Sequence, residues 1–481
     1  MVRAVAASQR ILPWVLLVAS VLSTRIVAQR VARHELPQRD WPQFGSDVES
    51  SGAPVASTGI TPTNIGSLSR RQVHLNGTVD ASAIYLHHVA VNGSNHDVFF
   101  VTTSYGKTIA IDADSAAVLW EYTPADFATW AGTAQITNST PAADPDRQHI
   151  YAAAPDGAVR KLAIADGHAE WTTSITLLPS REKITSAIKV FDGRVIAVTG
   201  GYIGDANPYQ GHVAVLDTET GTLQHVWNSL CSDRPGLIQP ASCQSSRSAI
   251  WGRAGAAIDP STGNIFVATG NGPYNGTTDW GDSVIELDPD ATVVLANYSP
   301  IDNATLEQAD LDLGSTSPVL VGSGALAQGG KDGIIRLLDI NSLAGAVPHT
   351  GNELQAAESH SLMFSAAAVW HDGVETWIFA GDIGGTAAWT VGKGKMTPMW
   401  SNTVPGTSPV VAGRLLYVYN PNGGLRAYDP RTGKAIATLE CGGGHWNSPV
   451  VVDGRIALPE GTANQHSTDG VLDIWTVASS R

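Results

Sequence analysis

Basic residues are scarce in this chain. Lys and Arg number 29 against 44 Asp and Glu in 481 residues, a formal net charge of -15. That balance leaves no basic patch for a phosphate backbone and speaks against nucleic-acid binding. Charged residues of both signs make up only 15% and hydrophobic residues 43%, a mixture too apolar for a disordered chain. Beyond residue 22 no run is apolar enough to cross a bilayer as a helix. Cysteine is nearly missing, at three residues. There is no Cys-x-x-Cys-His for attached haem, and no Cys or His set has a zinc spacing. A Gly-rich phosphate loop and a Gly-x-Ser-x-Gly elbow are also lacking.

What is present begins with a leader. Arg3 and Arg10 precede the apolar run Ile11 to Leu22, and Ala28 offers a small residue for cleavage. Residues 1–28 read as a secretory signal peptide and 29–40 as a short linker. Removing 1–28 removes three Arg and no acid, leaving 26 basic and 44 acidic residues, net -18. The expectation is an exported protein, periplasmic or extracellular, with no membrane span in the mature chain. Cys231 and Cys243 enclose a turn-rich stretch with Pro235, Gly236 and Pro240. In an oxidising compartment a short-loop disulfide is expected there, two free thiols being the other reading. Cys441 is left over.

Gly 49 and Pro 26 supply many turns, which excludes a helical bundle and suggests short strands. One pattern recurs: a short apolar strand ending in Asp or a substitute, then a turn, often then a Trp. It reads Ile109-Ala-Ile-Asp112, Lys161-Leu-Ala-Ile164, Ala214-Val-Leu-Asp217 and Ile285-Glu-Leu-Asp288. It returns as Arg336-Leu-Leu-Asp339, Ala387-Ala-Trp-Thr390, Arg426-Ala-Tyr-Asp429 and Asp473-Ile-Trp-Thr476. The eight copies are spaced 52, 53, 71, 51, 51, 39 and 47 residues apart. A period near 50 suits one four-stranded antiparallel sheet per repeat, set radially as a propeller blade. Asp156-Gly157, Asp192-Gly193 and Asp453-Gly454 are hairpin signals. Trp120, Trp171, Trp227 and Trp400 are expected to wedge between blades. A strand around Trp41-Pro-Gln-Phe44 is expected to complete the last blade. Residues 41–481 thus read as one eight-bladed, all-β propeller, with an insertion near 228–250 accounting for the long third interval.

These repeats and the opening Trp41-Pro-Gln-Phe-Gly45 resemble the eight-bladed propeller of the pyrroloquinoline-quinone (PQQ) dehydrogenases and their relatives, over roughly Trp41 to Val477. That fold serves quinone-dependent alcohol dehydrogenases and also non-catalytic assembly scaffolds, so it does not settle function. Trp251, Asp259-Pro260 and Thr269-Gly270-Asn271 look like the family stretch whose tryptophan lies under the quinone and whose asparagine binds its calcium. Gly281-Asp282 resembles the dipeptide that supplies the catalytic base and a calcium ligand, with Asp279 as the alternative base. Asp302 and the run Asp310 to Pro318 look like the segment that follows. Lys331-Asp332-Gly333 resembles the segment whose cation contacts the quinone oxygens. The residue types suit the chemistry. A planar anion needs an aromatic floor and positive charge, and Ca²⁺ needs carboxylate and amide oxygens.

The departures are equally specific. No adjacent Cys-Cys pair exists, the family's calcium-binding Glu falls near Ala206 with Asp205 beside it, and a family arginine falls near Gln210. Two readings follow. One is a PQQ- and Ca²⁺-dependent oxidoreductase without haem, acting on an alcohol or sugar and passing electrons to an external acceptor. The other is a non-catalytic propeller that binds an envelope protein or polymer.

Overall fold

A computed structural model of the chain describes residues 39–477, apart from 56, 323 and 346. The expected leader, 1–28, and most of the linker lie outside the described residues. Among the described residues no helix is long and apolar enough to cross a membrane.

The first blade shows how each repeat folds. Four strands, Ile84–Val91, Ser94–Thr102, Thr108–Asp112 and Val118–Tyr122, pair antiparallel in chain order. Blades two to seven repeat this order over 142–174, 182–228, 257–298, 319–358, 368–402 and 410–439. In the third blade the first strand is broken into Glu182–Ile184 and Lys189–Phe191, both pairing with Arg194–Gly201. Each repeat ending seen in the sequence lies at the close of a third strand. In six blades the register shifts just before it, as at Ala110/Ile111 and Val215/Leu216. That recurrent bulge twists the outer strand and aims its aromatic residue sideways.

The aspartate and tryptophan then act together. Asp217 Oδ1 accepts the N–H groups of Glu219 and Thr220 and fixes the turn. Gly221 follows at φ 68°, and a Cβ there would lie 2.5 Å from the Trp171 ring of the preceding blade. Trp171 Nε1 donates to Thr218 O, closing the wedge. Trp120 and Trp400 make the same contact with the turns at Gly167 and Gly433. At Trp227 the partner turn carries Ala291, at φ 53°, in place of glycine. Between blades the sheet faces meet in apolar seams, such as Ile84, Phe100 and Trp120 against Ile150 and Leu162. Burying both faces of each blade explains the small charged fraction.

The ring closes differently from the sequence expectation. The last blade is Val450–Val452, Arg455–Glu460 and Gly470–Thr476, and its outermost strand is Ser69–Leu75, not a segment near Trp41. Pro42 has no N–H to give a ladder, and Gly45, Ser46, Ser50 and Gly52 all have positive φ, so that stretch bends repeatedly. It forms a strap instead. Trp41 exchanges two backbone hydrogen bonds with Tyr85 in the first blade. The carbonyls of Pro42, Val48, Ser51 and Gly52 then accept from Ala143, Ile258, Val369 and Val411, each in the first strand of a different blade. First strands pair with a neighbour on one side only, and the strap satisfies their free edges. Lys189 Nζ ties it down, donating to Phe44 O and Asp47 O at 3.2 Å each and to Ser50 Oγ.

The insertion joins the third and fourth blades. It holds the Cys231–Cys243 disulfide and a single 3₁₀ turn, Pro240–Ser242. Asn228 Nδ2 anchors it through Arg234 O and Gly236 O. Cys441 is a free thiol.

Candidate functional site

In an up-and-down blade, the segment entering the first strand and the turn between second and third strands lie at the same end. A cavity of about 350 Å³ is built from such segments. Trp251 precedes the first strand of the fourth blade, and Asp310 and Asp312 precede that of the fifth. Lys331 comes from the second-to-third turn of the fifth blade, and Asp205 from that of the third.

The acids are positioned by local backbone. The helix Asn303–Ala309 ends at Asp310 in the left-handed conformation, φ 57°, with its N–H on Leu306 O. That reversal brings Asp310 and Asp312 to Lys331. Lys331 Nζ forms an ion pair with Asp312 Oδ2 and lies 3.3 Å from Asp310 Oδ1. It also sits 5.4 Å from the Trp251 ring centroid. Burial alone would lower the Lys331 pKa, but Asp312 and Asp310 hold it above the ordinary lysine value.

Asn271 is drawn in through the same acids. Its N–H donates to Asp312 Oδ1 at 2.7 Å and its Nδ2 to Asp310 Oδ1 at 2.8 Å. The approach requires Gly270, because a Cβ there would lie 2.3 Å from Asp312 Oδ1. Asp282, at φ 45°, gives its N–H to Gly270 O, and its Oδ1 accepts from Leu313 N at 2.9 Å. Its carboxyl is pushed up to about 8, mainly by burial, with Asp312 and Glu307 adding repulsion. Asn271 Oδ1 and Asp282 Oδ2 are buried without a hydrogen-bond partner among the described residues. Orphaned buried oxygens are costly, and a hard cation is the kind of group that satisfies them.

Asn271, Asp282 and Lys331 are therefore linked through the Asp310–Leu313 segment, and Trp251 lies beside Lys331. Trp251, Lys331 and Asp205 line the cavity, and Asp205 Oδ1 accepts from Tyr209 Oη at 2.6 Å. Asp279 does not line it. Its oxygens accept from Cys231 N and Asn275 Nδ2 in the turn that anchors the disulfide loop.

Several residues on the cavity wall, and Asp80 behind it, carry no signal in the sequence. Phe364 stands between Trp251 and Trp446, with ring centroids at 6.2 and 5.0 Å. Asp80 is fully buried and its Oδ2 contacts His445 Nδ1 at 2.8 Å. Its oxygens also take Asn138 Nδ2 and the N–H groups of Trp446 and Ala463. Burial pushes the Asp80 pKa up, but His445, Arg253 and these donors together hold it below the usual carboxylate value. His445 closes the run Cys441-Gly-Gly-Gly-His445. Arg253, two residues beyond Trp251, and Lys183 also line the cavity.

The family model described as "Outer membrane protein assembly factor BamB" matches residues 72–237, roughly a third of the chain. A quinohemoprotein alcohol dehydrogenase, ADH IIB of Pseudomonas putida, is 29% identical over 197 residues. The match takes in 37% of this chain and only 28% of that enzyme. Among solved structures, the quinohemoprotein alcohol dehydrogenase of Comamonas testosteroni aligns at TM-score 0.67 with 16% identity, over 94% of this chain and 84% of that one. A europium-containing methanol dehydrogenase aligns at 0.66 with 14% identity, over 93% and 99%. BamB of Moraxella catarrhalis aligns at 0.53 with 14% identity, over 86% and 99%. At such identities the structural likeness speaks to fold. Sequence match, repeats and ring agree, and the chain is an eight-bladed β-propeller similar to that of the PQQ-dependent dehydrogenases.

Proposed function

We propose that the chain is an exported quinoprotein-like oxidoreductase that acts on an alcohol or sugar with PQQ and Ca²⁺. The observation that carries this reading is the linkage of the buried Asn271 and Asp282, through the Asp310–Leu313 segment, to Lys331, which lines the cavity beside Trp251. Bound there, PQQ with Ca²⁺ supplies a hydride acceptor and a Lewis acid. The chain's own residues bind and orient. Trp251 offers an aromatic floor, and Lys331 a cation beside it, held in place by Asp310 and Asp312. Asn271 Oδ1 and Asp282 Oδ2 are the cation's ligands, with Asp205 a further carboxylate on the cavity wall. Asp282 also supplies the carboxylate that takes the hydroxyl proton of the substrate. Electrons leave to a separate acceptor.

Titrating the purified protein with PQQ and Ca²⁺ by absorbance tests this. Saturable binding at micromolar quinone is expected, weakened about tenfold or more by Trp251→Ala. Failure to saturate sinks the reading.

A second reading is favoured by the missing Cys-Cys pair and by the assembly-factor description of the matching family model. Here the ring is a non-catalytic scaffold for an envelope protein or polymer. A stoichiometric partner recovered from envelope extracts, and undisturbed by Asp282→Asn, supports it.

A further inference from the structure

Two cations in the cavity have no carboxylate within ion-pair distance among the described residues. Lys331 is paired, but Lys183 and Arg253 are not: among the described residues no Asp or Glu oxygen lies within 4.0 Å of either. Lys183 Nζ donates to Asn138 Oδ1 at 2.9 Å and stands 5.9 Å from the Tyr202 ring centroid. Arg253 is only 8% exposed. Its Nη1 reaches Thr185 O at 3.4 Å, its Nε is buried without a partner, and its Cζ lies 4.9 Å from the Trp446 ring centroid.

Such an arrangement is expensive. A ring face offsets only a small part of what desolvating a cation costs. The two charges also repel each other, and burial with that repulsion pushes the Lys183 pKa down to about 7. Asp80 attracts both, but it is one carboxylate for two cations. Its own oxygens are already taken by Asn138, His445, Trp446 and Ala463. The free donors, Arg253 Nε and the remaining Lys183 N–H groups, belong to residues that line an open cavity.

We propose that Lys183 and Arg253 form a carboxylate-binding subsite of this cavity, filled by a small anionic ligand lying against its aromatic wall. Arginine with an aromatic neighbour suits a planar carboxylate, and the lysine supplies the second charge. Two sources share that chemistry. One is a carboxylate of the quinone, which rests on the reading above. The other is a carboxylate-bearing substrate such as a sugar acid.

Binding of PQQ, PQQ trimethyl ester and gluconate is measured by calorimetry on the wild type, Lys183→Met and Arg253→Met. Melting temperatures of the ligand-free proteins are read alongside. At least one free acid is expected to bind the wild type and to weaken about 30-fold or more in each variant, the usual loss for one partner of a buried charge pair. The ester is expected to bind all three proteins alike. Ligand-free Lys183→Met is expected to melt no lower than the wild type, since an unpaired charge has been removed. Loss of gluconate binding in the variants, with no PQQ binding in any protein, upholds the subsite and removes the quinone. Equal binding of a free acid by wild type and variants, or no binding of either acid by the wild type, overturns the subsite.

Discussion

Asp282 shows how one residue's environment separates roles among chemically identical groups. Asp279 and Asp282 lie three positions apart, yet Asp279 holds a surface turn while Asp282 is 1% exposed with an orphaned oxygen. Asp282→Asn keeps the shape and removes the base. We expect the alcohol-oxidation rate of the PQQ- and Ca²⁺-loaded protein to fall about 10²–10⁴-fold, with the melting temperature little changed. Asp279→Asn is expected to leave the rate within about twofold, by the same logic of distance from the reacting atoms. Steady-state kinetics on both variants checks this.

At the scale of elements, the wedge between blades and the strap both rest on few contacts. Gly221 and Gly193 each have positive φ, but only Gly221 faces a ring at 2.5 Å; Gly193 has open space. Gly193→Ala is therefore expected to cost about 1 kcal/mol from backbone strain alone. Gly221→Ala adds overpacking against Trp171 and is expected to cost about 2–4 kcal/mol in urea unfolding. The strap depends on Lys189, whose pKa burial lowers to about 7. A lysine lowered in the folded state holds fewer protons than the unfolded chain between about pH 7 and its ordinary value. Stability therefore rises with pH across that window, and Lys183 acts in the same direction. Lys189→Met leaves Phe44 O, Asp47 O and Ser50 Oγ without their donor. Its stability is expected to rise less steeply with pH than that of the wild type, measured by calorimetry at successive pH values.

For the whole molecule, closure of the ring joins residues about 400 positions apart. Arg70 is the polar anchor of that seam. It reaches Asp473 through Nε at 2.8 Å and Nη2 at 2.7 Å, and Glu460 at 3.1 Å. The Asp473 side chain is 0% exposed, and burial together with the neighbouring Glu460 outweighs Arg70 and pushes its pKa above the usual carboxylate value. Arg70→Met strands that carboxylate and is expected to destabilise the ring by about 3 kcal/mol, seen as one lowered cooperative transition. Two separate transitions would show instead that the last blade unfolds on its own.

Blade number, strand order within a blade and the tryptophan wedge were legible in the chain itself, because each depends on neighbours within about 50 residues. Alternation, Asp-turn chemistry and bulge positions repeat locally, and repetition makes a weak signal strong. The motif residues Trp251, Asn271, Asp282 and Lys331 were legible through their resemblance to a known pattern. The strap was not: Trp41-Pro-Gln-Phe44 looked like a strand, and only the free edges of distant first strands give it partners. Nor were Asp80, Lys183, Arg253 and His445, whose sequence neighbours carry no shared pattern. Closing a ring brings the entry segments of every blade to one end of one axis. Whether a lysine there meets carboxylates, as Lys331 does, or stands without one, as Lys183 does, depends on which loops the ring sets side by side, and so on the tertiary structure.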